Sequence, residues 1–264
     1  MNRLDNIRVH RIQIAYSHAH NLNIKYKFLY SFDITQFGEL LEQEEMKKLA
    51  AEKAVEYIED GMIVGLGTGS TTEYALKKLG ELIKDGINVK GIPTSMHTKK
   101  IAKEQNIPLT TLEDDPEIDL TIDGADEVDS HLNLIKGGGG ALTREKIIAY
   151  HSKKEIIIVD DSKVVKALGI DCPLPVEVIK FGWQSTKKAL EKFGCTVELR
   201  KIMDEPFITD NSNYILDCDF EHIAEPEQME KDINNIPGVV ENGLFIGLVD
   251  EAIVGSKQGI KTLE

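Results

Sequence analysis

Three short strand-like runs constrain this chain more than any other feature: Met62-Ile63-Val64-Gly65-Leu66, Ile118-Asp119-Leu120-Thr121-Ile122 and Glu155-Ile156-Ile157-Ile158-Val159. Each breaks off into a glycine- or aspartate-rich segment, and helical patterns lie between them. Upstream of the first, Met46, Leu49, Ala50, Ala54, Tyr57 and Ile58 share one helical face, with Gly61 as the stop. Helices are expected over about Thr71–Ile83, Ser95–Gln105 and Leu142–Tyr150, with a further strand at Val89–Ile92. Strands alternating with helices predict βαβ units around a mainly parallel sheet, an α/β fold of Rossmann-like type.

The texture changes after Pro173-Leu174-Pro175. Trp183–Phe193 and Pro226–Asn235 read as helices, and Thr196–Arg200, Phe207–Thr209 and Asn213–Cys218 as strands. The turn residues Asp210-Asn211-Ser212-Asn213 suit a hairpin joining the last two strands. Gly243–Leu248 and Glu251–Gly255 are expected to return to the main sheet. The expected organisation is therefore a catalytic domain from 46–170 plus 243–264, with a small α+β domain, 171–242, inserted into it. Residues 1–45 are expected to be an extension outside the fold, and Met46 is a candidate natural start. Residues 1–38 carry five Lys/Arg against Asp5 and Asp33, a charge of +3, whereas the remaining 226 residues carry −17. That stretch has no apolar h-region of a secretory signal.

The whole chain of 264 residues has a formal charge of −14, which argues against general binding of nucleic-acid phosphates. No apolar run approaches the roughly 20 residues needed to span a bilayer. Cys172, Cys195 and Cys218 are widely spaced and form no CxxC pair. Free thiols in a reducing cytoplasm are expected rather than a zinc site or a disulfide framework.

Four polar segments carry the candidate chemistry, and open α/β sheets bind ligands beyond the carboxyl ends of their strands. Gly65-Leu66-Gly67-Thr68-Gly69-Ser70-Thr71-Thr72-Glu73 lets backbone approach an anion at a helix N-terminus, with Ser70 and Glu73 spaced as a capping box. It is neither a GxGxxG dinucleotide loop nor a Walker A loop. Asp123-Gly124-Ala125-Asp126-Glu127 offers two carboxylates for sugar hydroxyls or proton transfer; a solvated acidic turn is the plain alternative. Lys136-Gly137-Gly138-Gly139-Gly140 places a lysine and an amide-rich loop before a helix whose first turn holds Glu145. Glu145 would serve the helix dipole equally well, but that does not explain why a lysine and a glutamate bracket the glycines. Asp160-Asp161-Ser162-Lys163 offers caps at Asp161 or Ser162, and a lysine within reach of a phosphate.

Taken in this order, the segments closely resemble ribose-5-phosphate isomerase of the A type. GLGTGST at 65–71, DGADE at 123–127, KGGGGALTREKII at 136–148 and DDSK at 160–163 carry the resemblance. PLPVEV at 173–178, TDNSNYILD at 209–217 and IPGVVENGLF at 236–245 add to it. The resemblance runs from about Met46 to the C-terminus and leaves 1–45 without a counterpart. It implies interconversion of D-ribose 5-phosphate and D-ribulose 5-phosphate through an enediolate, with Glu145 as general base and Lys136 stabilising the oxyanion. It further implies that Asp123 and Asp126, with Gly124 and Ala125, handle substrate hydroxyls and ring opening. Gly137, Gly138 and Gly139 would donate amides, while Thr68, Gly69, Ser70, Thr71 and Lys163 hold the phosphate and Lys47 or Lys48 assists. No metal and no cofactor are implied; a ferredoxin-like small domain and a homodimer or homotetramer are. Two rivals compete: an S-adenosylmethionine-dependent methyltransferase reading of Val64–Gly69, and a sugar-phosphate sensor. Val64 stands where a methyltransferase usually has an acid, and a sensor has no need of Glu145.

Overall fold

The computed structural model describes residues 34–264. The N-terminal stretch read as an extension lies outside these residues up to position 33. Residues Met46–Glu264 form one compact unit. The first helix among the described residues, α1, spans Ile34–Val55 and so starts well before the expected Met46. The order continues β1 (Ile63–Leu66), α2 (Ser70–Lys84), β2 (Lys90–Pro93), α3 (Met96–Glu104) and β3 (Leu120–Asp123). Then come β4 (Glu127–Val128), β5 (Leu134–Ile135), α4 (Leu142–Tyr150) and β6 (Glu155–Asp160). The small region holds β7 (Leu174–Val178), α5 (Trp183–Leu190), β8 (Thr196–Leu199), β9 (Lys201–Ile202) and β10 (Glu205–Pro206). It ends with β11 (Tyr214–Asp219), α6 (Pro226–Asn234) and β12 (Val239–Asn242), before β13 (Leu244–Phe245), β14 (Glu251–Ser256) and β15 (Gly259–Leu263).

Six strands form the main sheet in the order β15-β14-β6-β3-β1-β2. Five are parallel, and β15 runs antiparallel along β14. Every residue of β6 is buried, as expected of a central parallel strand covered on both faces. Ile156 and Ile158 pack with Ala50 and Ala54 of α1 and Leu76 and Leu79 of α2; Ile157 and Val159 pack on the other face with Ala149 and Phe245. From β1 the chain steps outward to β2, then back across β1 to β3 and onward. That reversal puts the topological switch point between β1 and β3, where the carboxyl-end loops part and a ligand crevice forms.

Strands β7, β8, β11 and β12 form an antiparallel sheet of order β12-β7-β11-β8, backed by α5 and α6. This βαββαβ sequence is the ferredoxin-like arrangement. Its core joins Leu174, Val176, Val178, Leu216 and Ile233. A third, three-stranded ribbon, β13-β5-β4, leads directly into the lysine–glycine loop.

Several local expectations are corrected. Leu244–Phe245, within the segment expected to rejoin the main sheet, pairs with Ile135 and Leu134 in the ribbon. Phe207–Thr209 is not a strand; the hairpin is β9–β10, turning at Met203 and Asp204, both at positive φ. Phe207 instead lies against Gly140, where an added Cβ would stand 2.4 Å from its ring. Ser70 is the first helical residue and caps nothing: the N-cap is Gly69, at φ 138°, a conformation that favours glycine. Asp160, rather than Asp161 or Ser162, caps the short 3₁₀ turn Asp161–Lys163. No helix among the described residues is long and apolar enough to cross a membrane.

Candidate active site

The loops after β1 and β3 meet at the switch point. A Cβ on Gly67 would lie 2.2 Å from Asp123 Oδ1, so only glycine lets the two loops approach this closely. Asp123 Oδ1 accepts the amides of Thr68 (3.0 Å) and Gly124 (2.7 Å). Thr68 Oγ1 is engaged with Thr94, Ser95 and Thr98 at 2.7–2.9 Å, so its hydroxyl braces the loop. The amides of Ser70 and Thr71 open α2 and have no acceptor within it, which leaves an electropositive helix end at this rim.

Across the crevice, β5 delivers Lys136 and α4 delivers Glu145. Lys136 Nζ lies 3.0 Å from Asp123 Oδ2 and 3.5 Å from Glu145 Oε1, and donates to the carbonyl of Gly124. Asp123, Lys136 and Glu145 are each at most 4% exposed. Glu145 Oε2 is buried with no hydrogen-bond partner. Burial pushes the Glu145 carboxyl up to about 8; the Lys136 ammonium opposes that rise, and Asp123 and Asp126 add to it. Burial also raises Asp123, against the ammonium and the two amides. For Lys136, burial favours the neutral amine, yet Asp123 and Glu145 overrule it and hold the group above its ordinary value. The result is a protonated lysine beside a glutamate that is far more basic than usual.

Asp126 accepts the Gly138 amide at 2.7 Å, which ties the acidic turn to the glycine loop. Gly124 and Ala125 span the two aspartates at half-buried positions. Gly139 faces the first loop, its Cβ direction 3.8 Å from Thr68 Cγ2. Lys163 ends the turn after β6 at the same edge of the sheet, half-buried and without an ion pair among the described residues. Lys48 instead faces Glu52 at 3.9 Å on the surface of α1. Among the described residues, no group of three or more His, Cys, Asp or Glu side chains is placed to hold a metal ion.

Sequence reasoning missed the groups that brace this assembly from the small sheet. Glu177 is fully buried and accepts from Thr143 (2.6 Å), Thr209 (2.9 Å), Asn213 (2.8 Å) and Asn211 (3.2 Å). Thr143 stands two residues before Glu145 on α4. Arg144 reaches Asn211 Oδ1 and the carbonyl of Asp210. Arg200 grips the glycine loop itself. The available signal was a glutamate inside an apolar strand, facing a run of Thr and Asn far along the chain.

A buried, raised glutamate beside a lysine and an amide-rich loop, opposite a helix end suited to phosphate, defines an α/β enzyme of the sugar-phosphate isomerase class. The comparisons with known proteins sharpen this. The family model for ribose 5-phosphate isomerase A (phosphoriboisomerase A) matches residues 90–259. The ribose-5-phosphate isomerase A 1 of Oceanobacillus iheyensis is 51% identical over 220 residues, covering 83% of this chain and 98% of that protein. The ribose-5-phosphate isomerase A of Gloeobacter violaceus is 52% identical over 219 residues, 83% of this chain and 95% of its own length. A solved D-ribose-5-phosphate isomerase in complex with phospho-erythronic acid superposes with a TM-score of 0.82 at 48% identity, covering 84% of this chain and 98% of that one. The Plasmodium falciparum ribose 5-phosphate isomerase gives 0.82 at 43% identity over the same shares. The chain belongs to the ribose 5-phosphate isomerase A family and is an isomerase.

Proposed function

We propose that Glu145 moves a proton between C2 and C1 of ribose 5-phosphate, producing ribulose 5-phosphate, with Lys136 and the Gly137–Gly139 loop holding the intervening enediolate. One observation carries this assignment: Glu145 keeps a buried carboxylate oxygen unpartnered, beside a lysine already saturated with negative charge. A base needs a free lone pair aimed at a carbon acid and a basicity near the working pH, and burial supplies the second. In the open-chain aldose, Glu145 takes the C2 proton, and the electron pair moves through C1–C2 onto the carbonyl oxygen. The Lys136 ammonium and loop amides stabilise that oxyanion. The same carboxyl then returns its proton to C1, while a hydroxyl proton passes between the two oxygens and leaves the ketone at C2.

Asp123 and Asp126 are assigned to substrate hydroxyls and ring opening. Gly69, Ser70, Thr71 and Lys163 are assigned to the phosphate, with Thr68 as the brace beneath them. Anchoring the non-reacting end orients C1 and C2 toward Glu145. The same anchors suit phospho-erythronic acid, whose carboxylate would take the place of the enediolate oxygens. The substrate-binding main sheet, 46–170 plus 243–264, and the small sheet, 171–242, are read as two domains. Exposed Phe181, Ile202 and Met203 in the small region support assembly as a homodimer or homotetramer. Three free thiols support a reducing, cytoplasmic setting.

The test is ketose formation from ribose 5-phosphate in the presence of EDTA, comparing the wild type with Glu145→Gln. Turnover that collapses in the variant while phosphate affinity is kept supports the base. Undiminished turnover would move the base to Asp123 or Asp126.

A further inference from the structure

Arg200 follows β8 in the small sheet, yet its guanidinium ends on the glycine loop more than sixty residues earlier. Nη1 donates to the carbonyls of Gly137 (2.8 Å) and Gly138 (2.9 Å). Nε donates to Asp217 Oδ2 at 2.9 Å and Nη2 to Asp217 Oδ1, a fork-on-fork pair that fixes the guanidinium plane. The Phe207 ring lies 6.0 Å from it. The backbone is fixed as well, with the Arg200 amide on Ile215 O and its carbonyl accepting from Phe207.

In a trans peptide the carbonyl of one residue and the amide of the next point in opposite directions. Holding the Gly137 and Gly138 carbonyls on one nitrogen therefore turns the amides of Gly138 and Gly139 together to the far side of the loop. There the Gly138 amide meets Asp126, and Gly139 faces Thr68 across the crevice. The Gly138 amide is engaged by Asp126, so the Gly139 amide, turned to the same side, is the donor left for an oxyanion. Gly137 and Gly140 sit at φ 101° and 82°, so the loop has little side-chain constraint of its own and needs an outside hold.

We propose that Arg200, locked by Asp217, is a positioning residue for the isomerisation: it pins the glycine-loop carbonyls so that Gly138 stays on Asp126 and the Gly139 amide meets the enediolate oxyanion. Arg200 does not touch the substrate, and the inference rests on the assignment of the Lys136–Gly139 segment to the oxyanion.

The experiment compares Arg200→Met, Arg200→Lys and Asp217→Asn with the wild type, following kcat, KM, thermal midpoint and the affinities for inorganic phosphate and phospho-erythronic acid. Loss of an oxyanion donor costs about 10²–10³ in kcat, so misaiming such donors is expected to lower kcat about 10- to 100-fold in both Arg200 variants. Phosphate affinity and KM are expected to stay within about twofold, since the phosphate is held elsewhere, while phospho-erythronic acid weakens in step with kcat. Lysine is expected not to rescue, because one ammonium cannot span two carbonyls and a carboxylate fork. Asp217→Asn is expected to show the same split, smaller. The proposal is overturned if Arg200→Met keeps full kcat, if Arg200→Lys restores it, or if kcat, phosphate affinity and thermal midpoint fall together. Glu145→Gln run alongside separates the failures: turnover surviving there removes the base assignment and leaves the Arg200 comparison readable on its own.

Discussion

Replacing Glu145 by glutamine takes a titrating carboxyl out of a place water barely reaches. In the folded protein the group is 4% exposed, one oxygen has no partner, and the pKa moves from 4.5 to about 8. A folded pKa raised above the unfolded one means that the fold holds a proton which the unfolded chain has already released. The associated stability is present below about pH 4.5 and is lost as pH rises through about 8. At about 1.36 kcal/mol per pH unit, that interval corresponds to a loss of about 5 kcal/mol above pH 8. Glutamine does not titrate and escapes it. Its NH₂ group, left without an acceptor in the same place, gives back about 1–3 kcal/mol. The variant is therefore expected to be more stable by about 2–4 kcal/mol at pH 9, with the advantage gone by pH 4.5. For a chain of this size that is a rise of about 5–15 °C in the thermal midpoint. Urea unfolding at pH 4.5 and 9, with protein concentration fixed because association adds to stability, measures the difference directly. An equal difference at both pH values, or a less stable variant at pH 9, would refute the claim that this glutamate is held against its solvation.

Other consequences follow from the same geometry. The acid limb of kcat/KM is expected near 8, not in the ordinary glutamate range, with activity rising with pH because the base must be ionised; a limb below pH 5 would contradict the burial argument. Gly67→Ala is expected to cost about 1–3 kcal/mol of stability and most of the turnover, since the new Cβ collides with Asp123, as read by unfolding and by ketose formation. Glu155 is buried at the start of β6 with neither carboxylate oxygen partnered, and burial raises its pKa well above the ordinary range. Glu155→Gln is expected to raise stability at pH 8 and to leave kcat within about twofold; a large fall in kcat would show that its charge reaches Asp123 and Lys136.

The main sheet was legible because its strands are buried on both faces and its helices carry one apolar stripe, so pattern and position agree. Leu142–Tyr150 fell where the pattern placed it. Strand β7 was not legible, since Leu174-Pro175-Val176-Glu177-Val178 contains two residues that strands disfavour. Its pairing on both sides and the four donors around Glu177 override that local preference. Phe207–Thr209 misled for the opposite reason: its strand-like composition serves packing against Gly140 and the Glu177 cluster. Asp123, Lys136 and Glu145 stood out as chemistry bracketing glycines, but Arg200 did not, because nothing local marks an arginine that reaches two loop carbonyls more than sixty residues earlier in the chain.

The Glu177 cluster also sets how the site comes apart. Helix ends normally fray, and the first turn of α4 carries the base. Opening that turn would pull Thr143 from a charge buried thirty-four residues later and strand it. The amides of α4 should therefore exchange with solvent only when the small sheet opens with them, at the slow rate of the whole unit. A protease cutting at the exposed Met203–Asp204 tip, remote in sequence from the base, would then disarm the enzyme by letting that helix loosen.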